Sequence, residues 1–293
     1  MRIAAPRLVF SPDYAVDIGG HVFPTRKFAL AERLLPAALE RVEPPLAGRE
    51  ELLLAHDPAW VDKVLDCRMT LDDEALMELP FSPEVSRAHR RAAGGTILAC
   101  RDALERGSGL HCGGGSHHAF ADHGEGFCVL NDIALGILQM RREGRLSRAA
   151  VIDLDVHQGN GTAAIFAGDP DVFTFSMHQD DLYPAVKPPS SLDVALPAGT
   201  GDRDYLGLLE KHLPRVFQGE PELVVYQAGV DCHESDRLGA LRLTAAGLER
   251  RDRLVREACR ERGVPAAVTL GGGYAASADE TAALHARTLE LFL

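Results

Sequence analysis

The sequence predicts an α/β protein in which a mostly parallel β-sheet is sandwiched between helices. Short runs such as AAVIDLD and ELVVYQ have the β-branched and aliphatic composition of strands buried on both faces. Amphipathic stretches of about ten to twenty residues separate these runs, and a parallel sheet needs such helical crossovers between its strands. Turn residues, such as Gly-Asn-Gly at 159–161, mark the places where a strand hands over to a helix.

Each predicted element rests on its own local pattern. Apolar runs predict the strands, while Ser, Thr or Asp N-caps, N1 prolines and the stop at Gly107 delimit several helices. The loops at 11–24 and 178–202 are long enough to border a binding pocket. The predicted strands are 8–10, 52–55, 110–112, 149–155, 172–176, 222–227 and 266–270. The predicted helices are 25–42, a short one from 58, 83–106, 129–142, 162–167, 205–217, 244–262 and 277–293.

The composition fits a single catalytic domain over residues 1–293. The chain has 46% apolar and 25% charged residues, as is typical of soluble proteins. Its net charge of -12 argues against a nucleic-acid surface and mildly favours cationic or lysine-bearing substrates. No apolar run approaches the ~20 residues of a membrane span, and the N-terminal residues lack the form of a signal peptide. We therefore expect a cytoplasmic protein that binds neither nucleic acid nor membrane.

The stretch VIDLDVHQGNGT at 151–162 predicts a metal site. Asp153, Asp155 and His157 are spaced i, i+2 and i+4, so in an extended chain their side chains point to the same side. A buried strand end cannot hold two carboxylates and an imidazole without a cationic partner, because an unpaired buried charge costs several kcal/mol. The alternative is a structural ion pair with a distant Arg or Lys.

Further candidate residues follow other predicted strands. The carboxyl ends of parallel strands meet at one edge of a sheet, so we expect these motifs to lie close together. Each motif alone could be a simple loop or tight turn, but their coincidence at one edge points to an active site. They are GGGSHH at 113–118, Ser176, Asp231 in AGVD, and Tyr274 in GGGY.

The motifs GGGSHHA, DLDVHQGNG, AGVDCHESDRLG and LGGGY occur in this order along the chain. In this combination the sequence resembles the histone deacetylase family of the arginase/deacetylase fold, from Phe10 onward. Asn160, where several branches of the family have Asp, and the DRLG run after Asp231 resemble the class IV branch and its bacterial relatives most. The resemblance implies a hydrolase that removes acetyl or longer acyl groups from the Nε atom of lysine.

The resemblance also implies a metal centre. Asp155, His157 and Asp231 would bind a catalytic Zn²⁺, and a carboxylate, imidazole and carboxylate set is acceptable to zinc while leaving a position open for water and substrate. Iron(II) is a competing metal, because nothing in this nitrogen and oxygen ligand set excludes it. A structural K⁺ would lie beneath the zinc. Its ligands would be Asp153, the Ser176 hydroxyl, and the backbone carbonyls of Asp155, His157 and Met177.

By the same resemblance, two histidines and a tyrosine carry the chemistry. His118 would be the general base and then the general acid, with His117 as its electrostatic partner. Asp153 would orient His117 and Asn160 would orient His118; an Asn cannot stabilise an imidazolium as a carboxylate does, so we expect a low pKa for His118. The Tyr274 phenol would donate a hydrogen bond to the oxyanion formed when water attacks the amide.

Four residues are expected to form the substrate tunnel on the same grounds. Phe127 and Tyr183 would wall it, Gly126 would offer its backbone carbonyl, and Leu238 would lie at the rim. The expected partner is an acyl-lysine peptide or protein, or a small acylated amine, and the oligomeric state is left open.

Three other functions stay open at this point. An acetylpolyamine amidohydrolase would need an anionic gate; the apolar Leu238 argues against it, whereas Glu234 and Asp236 could supply charge. A catalytically silent acyl-lysine reader would keep the site without the reaction. An arginase-type ureohydrolase fits less well. Such an enzyme needs two metals, and the adjacent histidines do not match it. Nucleotide binding does not fit, because neither GGG run reads G-x-G-x-x-G at the start of a helix.

Overall fold

The computed structural model describes residues 5–293 and contains an eight-stranded sheet in which every strand pairs in parallel with its neighbours. The order of the strands across the sheet is β2-β1-β3-β8-β7-β4-β5-β6. This architecture confirms the predicted fold class. The strands are β1 (Leu8–Val9), β2 (Arg41–Val42), β3 (Ser108–His111), β4 (Ala149–Asp153), β5 (Val172–Gln179), β6 (Leu192–Leu196), β7 (Leu223–Gln227) and β8 (Ala266–Thr269).

Helices cover both faces of the sheet. Helix α5 (Pro83–Arg106) begins at the predicted Ser82 cap, whose hydroxyl accepts from Val85 N. At the start of α9 (Ala245–Arg262) the Thr244 hydroxyl accepts from Gly247 N in the same way. The helices are α1 (Lys27–Leu34), α2 (Arg49–Leu52), α3 (Pro58–Leu65), α4 (Leu71–Met77), α5 (Pro83–Arg106), α6 (Asp132–Arg142), α7 (Asn160–Ile165), α8 (Asp202–His212), α9 (Ala245–Arg262) and α10 (Ala278–Leu291); Pro12–Tyr14 and Leu213–Phe217 form 3-10 helices.

Two hydrophobic cores lie on opposite faces of the sheet. Along β4, Ala150 and Ile152 belong to one core, whereas Ala149 and Val151 belong to the other. This alternation follows from the two-residue period of a strand. The first core packs the sheet against α1, α8, α9 and α10, and the second packs it against α3, α5 and α6. Strands covered on both faces leave their carboxyl edge as the accessible place for a site.

The predicted helix at 25–42 is wrong in its second half. Helix α1 ends at Leu34, and Arg41–Val42 forms the edge strand β2. Pro36 explains the difference, because a proline disfavours helical backbone in the residue before it.

The predicted strand at 52–55 is also wrong. Arg49–Leu52 is a helix whose first turn is capped by Glu51, which accepts a hydrogen bond from Gly48 N at 2.6 Å. Short apolar runs such as LLLA do not distinguish a buried strand from a helix by periodicity.

The predicted loop at 178–202 contains one strand. Residues Leu192–Leu196 form β6, and the buried and exposed positions alternate strictly along it. This two-residue pattern in LDVAL was the available signal. In the part of the chain that the structure describes, no helix has both the length and the apolar character needed to cross a bilayer.

Candidate active site

The end of β4 supplies three of the predicted residues. Asp153 is the last residue of the strand, and Asp155 and His157 follow in the turn that precedes α7. The local fold holds their carboxylates firmly: Asp155 N donates to Asp153 Oδ1 at 3.2 Å, and His157 N donates to Asp155 Oδ1 at 3.0 Å. All three side chains are buried.

Asp231, which follows β7, joins this cluster from a neighbouring strand. His157 Nδ1 lies 3.0 Å from Asp155 Oδ1 and 3.3 Å from Asp231 Oδ2. One ligand atom from each of the three residues falls within 4.8 Å of the other two. The structure therefore brings together the three residues that the sequence proposes as metal ligands.

The donor atoms of this triad fit a metal ion. Asp231 Oδ1 accepts a hydrogen bond from Val156 N at 2.8 Å, while Asp231 Oδ2 is buried and has no hydrogen-bond partner among residues 5–293. A buried carboxylate oxygen without a partner needs an explanation, and a bound cation provides one. Tetrahedral zinc with bonds of about 2.0–2.1 Å places its ligands about 3.3 Å apart, which is close to the spacing seen here.

Electrostatics within the triad point the same way. Burial alone would lower the pKa of His157, but the Asp155 and Asp231 carboxylates outweigh it and raise this pKa to about 10. Burial and the neighbouring Asp155 charge raise the pKa of Asp231 to about 7. Two buried carboxylates this close attract a proton or a cation, which is the electrostatic condition for a divalent metal site.

His117 is bound to a carboxylate. Its Nδ1 donates to Asp153 Oδ2 at 2.7 Å, and its Nε2 lies 3.8 Å from Asp155 Oδ1. Burial would lower the pKa of His117, but the charges of Asp153 and Asp155 prevail and raise it to about 9. His117 is therefore held as a cation near neutral pH.

His118 is instead hydrogen-bonded to the side-chain amide of Asn160. Its Nδ1 donates to Asn160 Oδ1 at 2.7 Å. Burial, reinforced by the neighbouring His117 and His157, keeps the pKa of His118 well below its usual value. His118 is therefore neutral near pH 7.

Tyr274 lies on the glycine-rich loop after β8. Its main chain is clamped from both sides: Tyr274 N donates to Asp236 Oδ2 at 2.6 Å, and Arg237 Nε donates to Tyr274 O at 2.9 Å. Burial and the Asp155 and Asp231 charges keep the pKa of Tyr274 well above its usual value. The phenol thus stays protonated and can donate a hydrogen bond.

The buried Lys27 of α1 supports the same loop. Its Nζ donates to Gly271 O at 2.8 Å and to Gly273 O at 3.3 Å. The ammonium also lies 5.0 Å from the centre of the Tyr274 ring. Lys27 and the Asp236 clamp together fix the loop that carries Tyr274.

A pocket opens onto these side chains. Residues Gly126, Phe127, His117, His118, Asp155 and Tyr274 all line it. The Phe127 ring lies 5.9 Å from the Tyr274 ring and stacks at 6.0 Å on Phe23. Tyr183 meets the His118 ring edge-on at 5.0 Å.

Two further predictions concern Leu238 and Asp236. Leu238 is partly buried in the turn after Asp236 and is not among the residues that line this pocket. Asp236, considered above as a substrate gate, is instead occupied by the backbone N–H groups of Leu238, Gly239 and Tyr274.

The proposed potassium ligands lie on adjacent strands. Asp153 of β4 pairs in register with Ser176 of β5, and Ser176 Oγ is 2.9 Å from His178 Nδ1. Met177 is buried in β5. Potassium binding at these residues stays a prediction.

Sequence reasoning missed several residues of this site. Gln227 ends β7, and its Nε2 donates to Asp155 Oδ2 at 2.9 Å. A polar residue at the end of an apolar strand was the signal, the same one that singled out Asp153. Glu125, which accepts a hydrogen bond from Asn160 Nδ2 at 3.0 Å, carried no comparable signal in the sequence.

Comparison with known proteins agrees with this architecture and site. The chain superposes on the crystal structure of the HDA15 HD domain with a TM-score of 0.80 and 23% sequence identity, covering 98% of this chain and 90% of that one. The shared fold is thus the arginase/deacetylase type. Residues 21–289 match the histone deacetylase domain, so the chain belongs to the histone deacetylase family of hydrolases.

Individual relatives support this membership. An uncharacterized protein of Picosynechococcus sp. is 44% identical over 275 residues, covering 92% of each chain. Histone deacetylase 2 of Arabidopsis thaliana is 33% identical over 288 residues, covering 91% of this chain and 74% of that protein.

Proposed function

We propose that this protein is a zinc-dependent amidohydrolase that removes acetyl or longer acyl groups from the Nε atom of lysine. One observation carries the proposal: Asp155, which clusters with His157 and Asp231, lines one pocket together with the histidine pair and Tyr274. Potassium near Asp153 and Ser176 and a place in the class IV branch are parts of the same proposal that rest on the resemblance of the motifs. A cytoplasmic location is also part of it and follows the expectation from the sequence.

Zinc would be held by Asp155, His157 and Asp231, with iron(II) as the competing metal. When bound, zinc supplies a Lewis acid that polarises the amide carbonyl and makes the attacking water more acidic. Gln227 and Gly272 N both donate to Asp155 Oδ2 at 2.9 Å, which leaves Oδ1 directed at His157. Such fixed donors orient ligand carboxylates.

The two histidines have different roles in this mechanism. His118 is neutral, so its Nε2 can take the proton of the attacking water and later deliver it to the leaving amine. The Asp153 and Asp155 carboxylates raise the pKa of His117 to about 9, which favours its protonated form and makes it the poorer base of the two. Its positive charge instead stabilises the negative charge that develops during attack.

Tyr274 completes the mechanism as a hydrogen-bond donor. Its protonated phenol would donate to the carbonyl oxygen as that oxygen gains charge, a contact worth about 2.7–4 kcal/mol for comparable donors. The aromatic rings of Phe127 and Tyr183 would flank the aliphatic stem of the lysine. Tyr14 and Phe28 also line the pocket, so acyl chains longer than acetyl should be tested.

The decisive experiment is a mass-spectrometric hydrolysis panel with the zinc-loaded protein. Peptides with acetyl-, decanoyl- and myristoyl-lysine are compared with N-acetylputrescine, and Tyr274→Phe is the control. We expect cleavage of at least one acyl-lysine peptide and a loss of about 10²–10³ in kcat for the variant.

The other outcomes separate the alternatives. Cleavage of N-acetylputrescine alone would make the protein a polyamine deacetylase with the same chemistry. No hydrolysis of any substrate, with retained binding of an acyl-lysine peptide, would favour the silent reader.

A further inference from the structure

We propose that Glu125 is a positioning residue that fixes the tautomer of His118 through the side-chain amide of Asn160. Glu125 lies in the tight turn before Gly126, where it pairs with Cys128 in an isolated bridge. Only 16% of its side chain is exposed. Its Oε1 atom accepts two hydrogen bonds, one from Asn160 Nδ2 at 3.0 Å and one from the Tyr183 hydroxyl at 2.6 Å.

The side chains of Glu125, Asn160 and His118 form a chain of hydrogen bonds in which each donor and acceptor is fixed. A carboxylate can only accept, so Glu125 requires the NH₂ group of Asn160 to point toward it. The oxygen of the same amide must then face His118, and Asn160 Oδ1 is indeed 2.7 Å from His118 Nδ1. An amide oxygen can only accept, so the proton of neutral His118 lies on Nδ1 and its lone pair on Nε2.

This arrangement fixes the orientation of the Asn160 side-chain amide, which could otherwise turn either way. An amide presents either a donor or an acceptor, depending on which way it is turned, whereas an Asp at this position would accept in both orientations. With its NH₂ group facing His118, Asn160 would place the imidazole proton on Nε2. His118 would then present a proton rather than a lone pair to the attacking water.

The absence of a side chain at Gly126 leaves space for the contacts of Glu125. Gly126 has a φ of +52°, and a Cβ atom there would lie 2.8 Å from both His118 Cδ2 and the Tyr183 hydroxyl. The missing side chain therefore lets His118 and Tyr183 approach the turn that carries Glu125. Its second oxygen, Oε2, lies 3.6 Å from His123 Nε2.

The inference rests on the proposed function only for the role of His118 as base, because the tautomer itself can be measured without substrate. Two-bond ¹H–¹⁵N correlation spectra of the zinc-loaded protein distinguish the Nδ1–H and Nε2–H forms of a neutral imidazole. His118→Gln identifies the signal of His118 by its disappearance. The variants to compare are Glu125→Ala, Glu125→Gln and Tyr183→Phe, the last of which removes only the phenol that shares the Glu125 oxygen.

We expect wild type and Tyr183→Phe to hold His118 entirely as the Nδ1–H tautomer. Glu125→Ala removes the acceptor, and Glu125→Gln can present a donor, so both should populate the Nε2–H form. If Glu125→Ala does not fold, the isosteric Glu125→Gln variant decides alone. Retention of only the Nδ1–H tautomer in the folded Glu125 variants would overturn the proposal.

Kinetics supply a second readout. With a cleaved acyl-lysine peptide, Glu125→Gln should lower kcat about tenfold more than Tyr183→Phe does, as is typical of groups that orient an active-site imidazole. Equal losses in the two variants would mean that Glu125 acts through Tyr183, which contradicts the proposal. If no substrate is cleaved, the proposed function fails, while the spectra still test whether Glu125 fixes the tautomer of His118.

Discussion

His117 and His118 are neighbours in sequence and their rings lie 4.0 Å apart, yet the protein holds them in opposite charge states. Both are buried, and both donate from Nδ1 to an oxygen at 2.7 Å. The pKa of His117 is raised to about 9, whereas that of His118 is kept well below its usual value. Because burial is common to both, the difference comes from their neighbours: the Asp153 and Asp155 carboxylates raise the pKa of His117, whereas His118 faces the positive charges of His117 and His157 and is hydrogen-bonded only to the amide of Asn160. Neighbouring charges can thus divide two identical side chains into a cation and a base.

Replacing each histidine in turn tests this division most strongly. His118→Gln should lower kcat/KM about 10²–10⁴-fold, which is the usual contribution of a general acid–base group. His117→Gln removes only a neighbouring charge and should cost less. The measurement is kcat/KM for the best acyl-lysine peptide at pH 8. A larger loss in His117→Gln would reverse the assigned roles.

Asp153→Asn gives the two histidines the same kind of partner. Without this carboxylate only the Asp155 charge still opposes the burial of His117, so its pKa should fall from about 9 toward its usual value. We expect a loss in activity of about 10–100-fold, as for other residues that orient an active-site imidazole. NMR titration of the His117 ring protons measures the pKa. A His117 that stays protonated above pH 8 in this variant would show that Asp153 is not the cause.

Asn160→Asp makes the opposite change and has the smallest expected effect. A carboxylate beside Nδ1 stabilises the imidazolium, so the pKa of His118 should rise. Because the base works only when neutral, the acid limb of the kcat/KM profile would move to higher pH. An acid limb that stays in place would argue that another group sets it.

Local patterns predicted much of the fold and the site, because the responsible forces act within a few residues. The i, i+2, i+4 spacing singled out Asp153, Asp155 and His157, and their contacts run between neighbours in the chain, although only Asp153 lies in the strand itself. The Ser82 cap was likewise predicted from its local pattern. The predicted strand at 52–55 failed because an apolar run of this length has no distinctive period.

The sequence by itself determined the parallel α/β architecture, the family and the set of candidate catalytic side chains. Only the tertiary structure decided which groups support them: Lys27 reaches Gly271 across 244 positions, Gln227 reaches Asp155 across 72, and Glu125 reaches Asn160 across 35. No helical or strand period connects such distant positions. The order of the strands in the sheet and the packing of the loops at its carboxyl edge bring them together, and these contacts decide which buried groups carry charge.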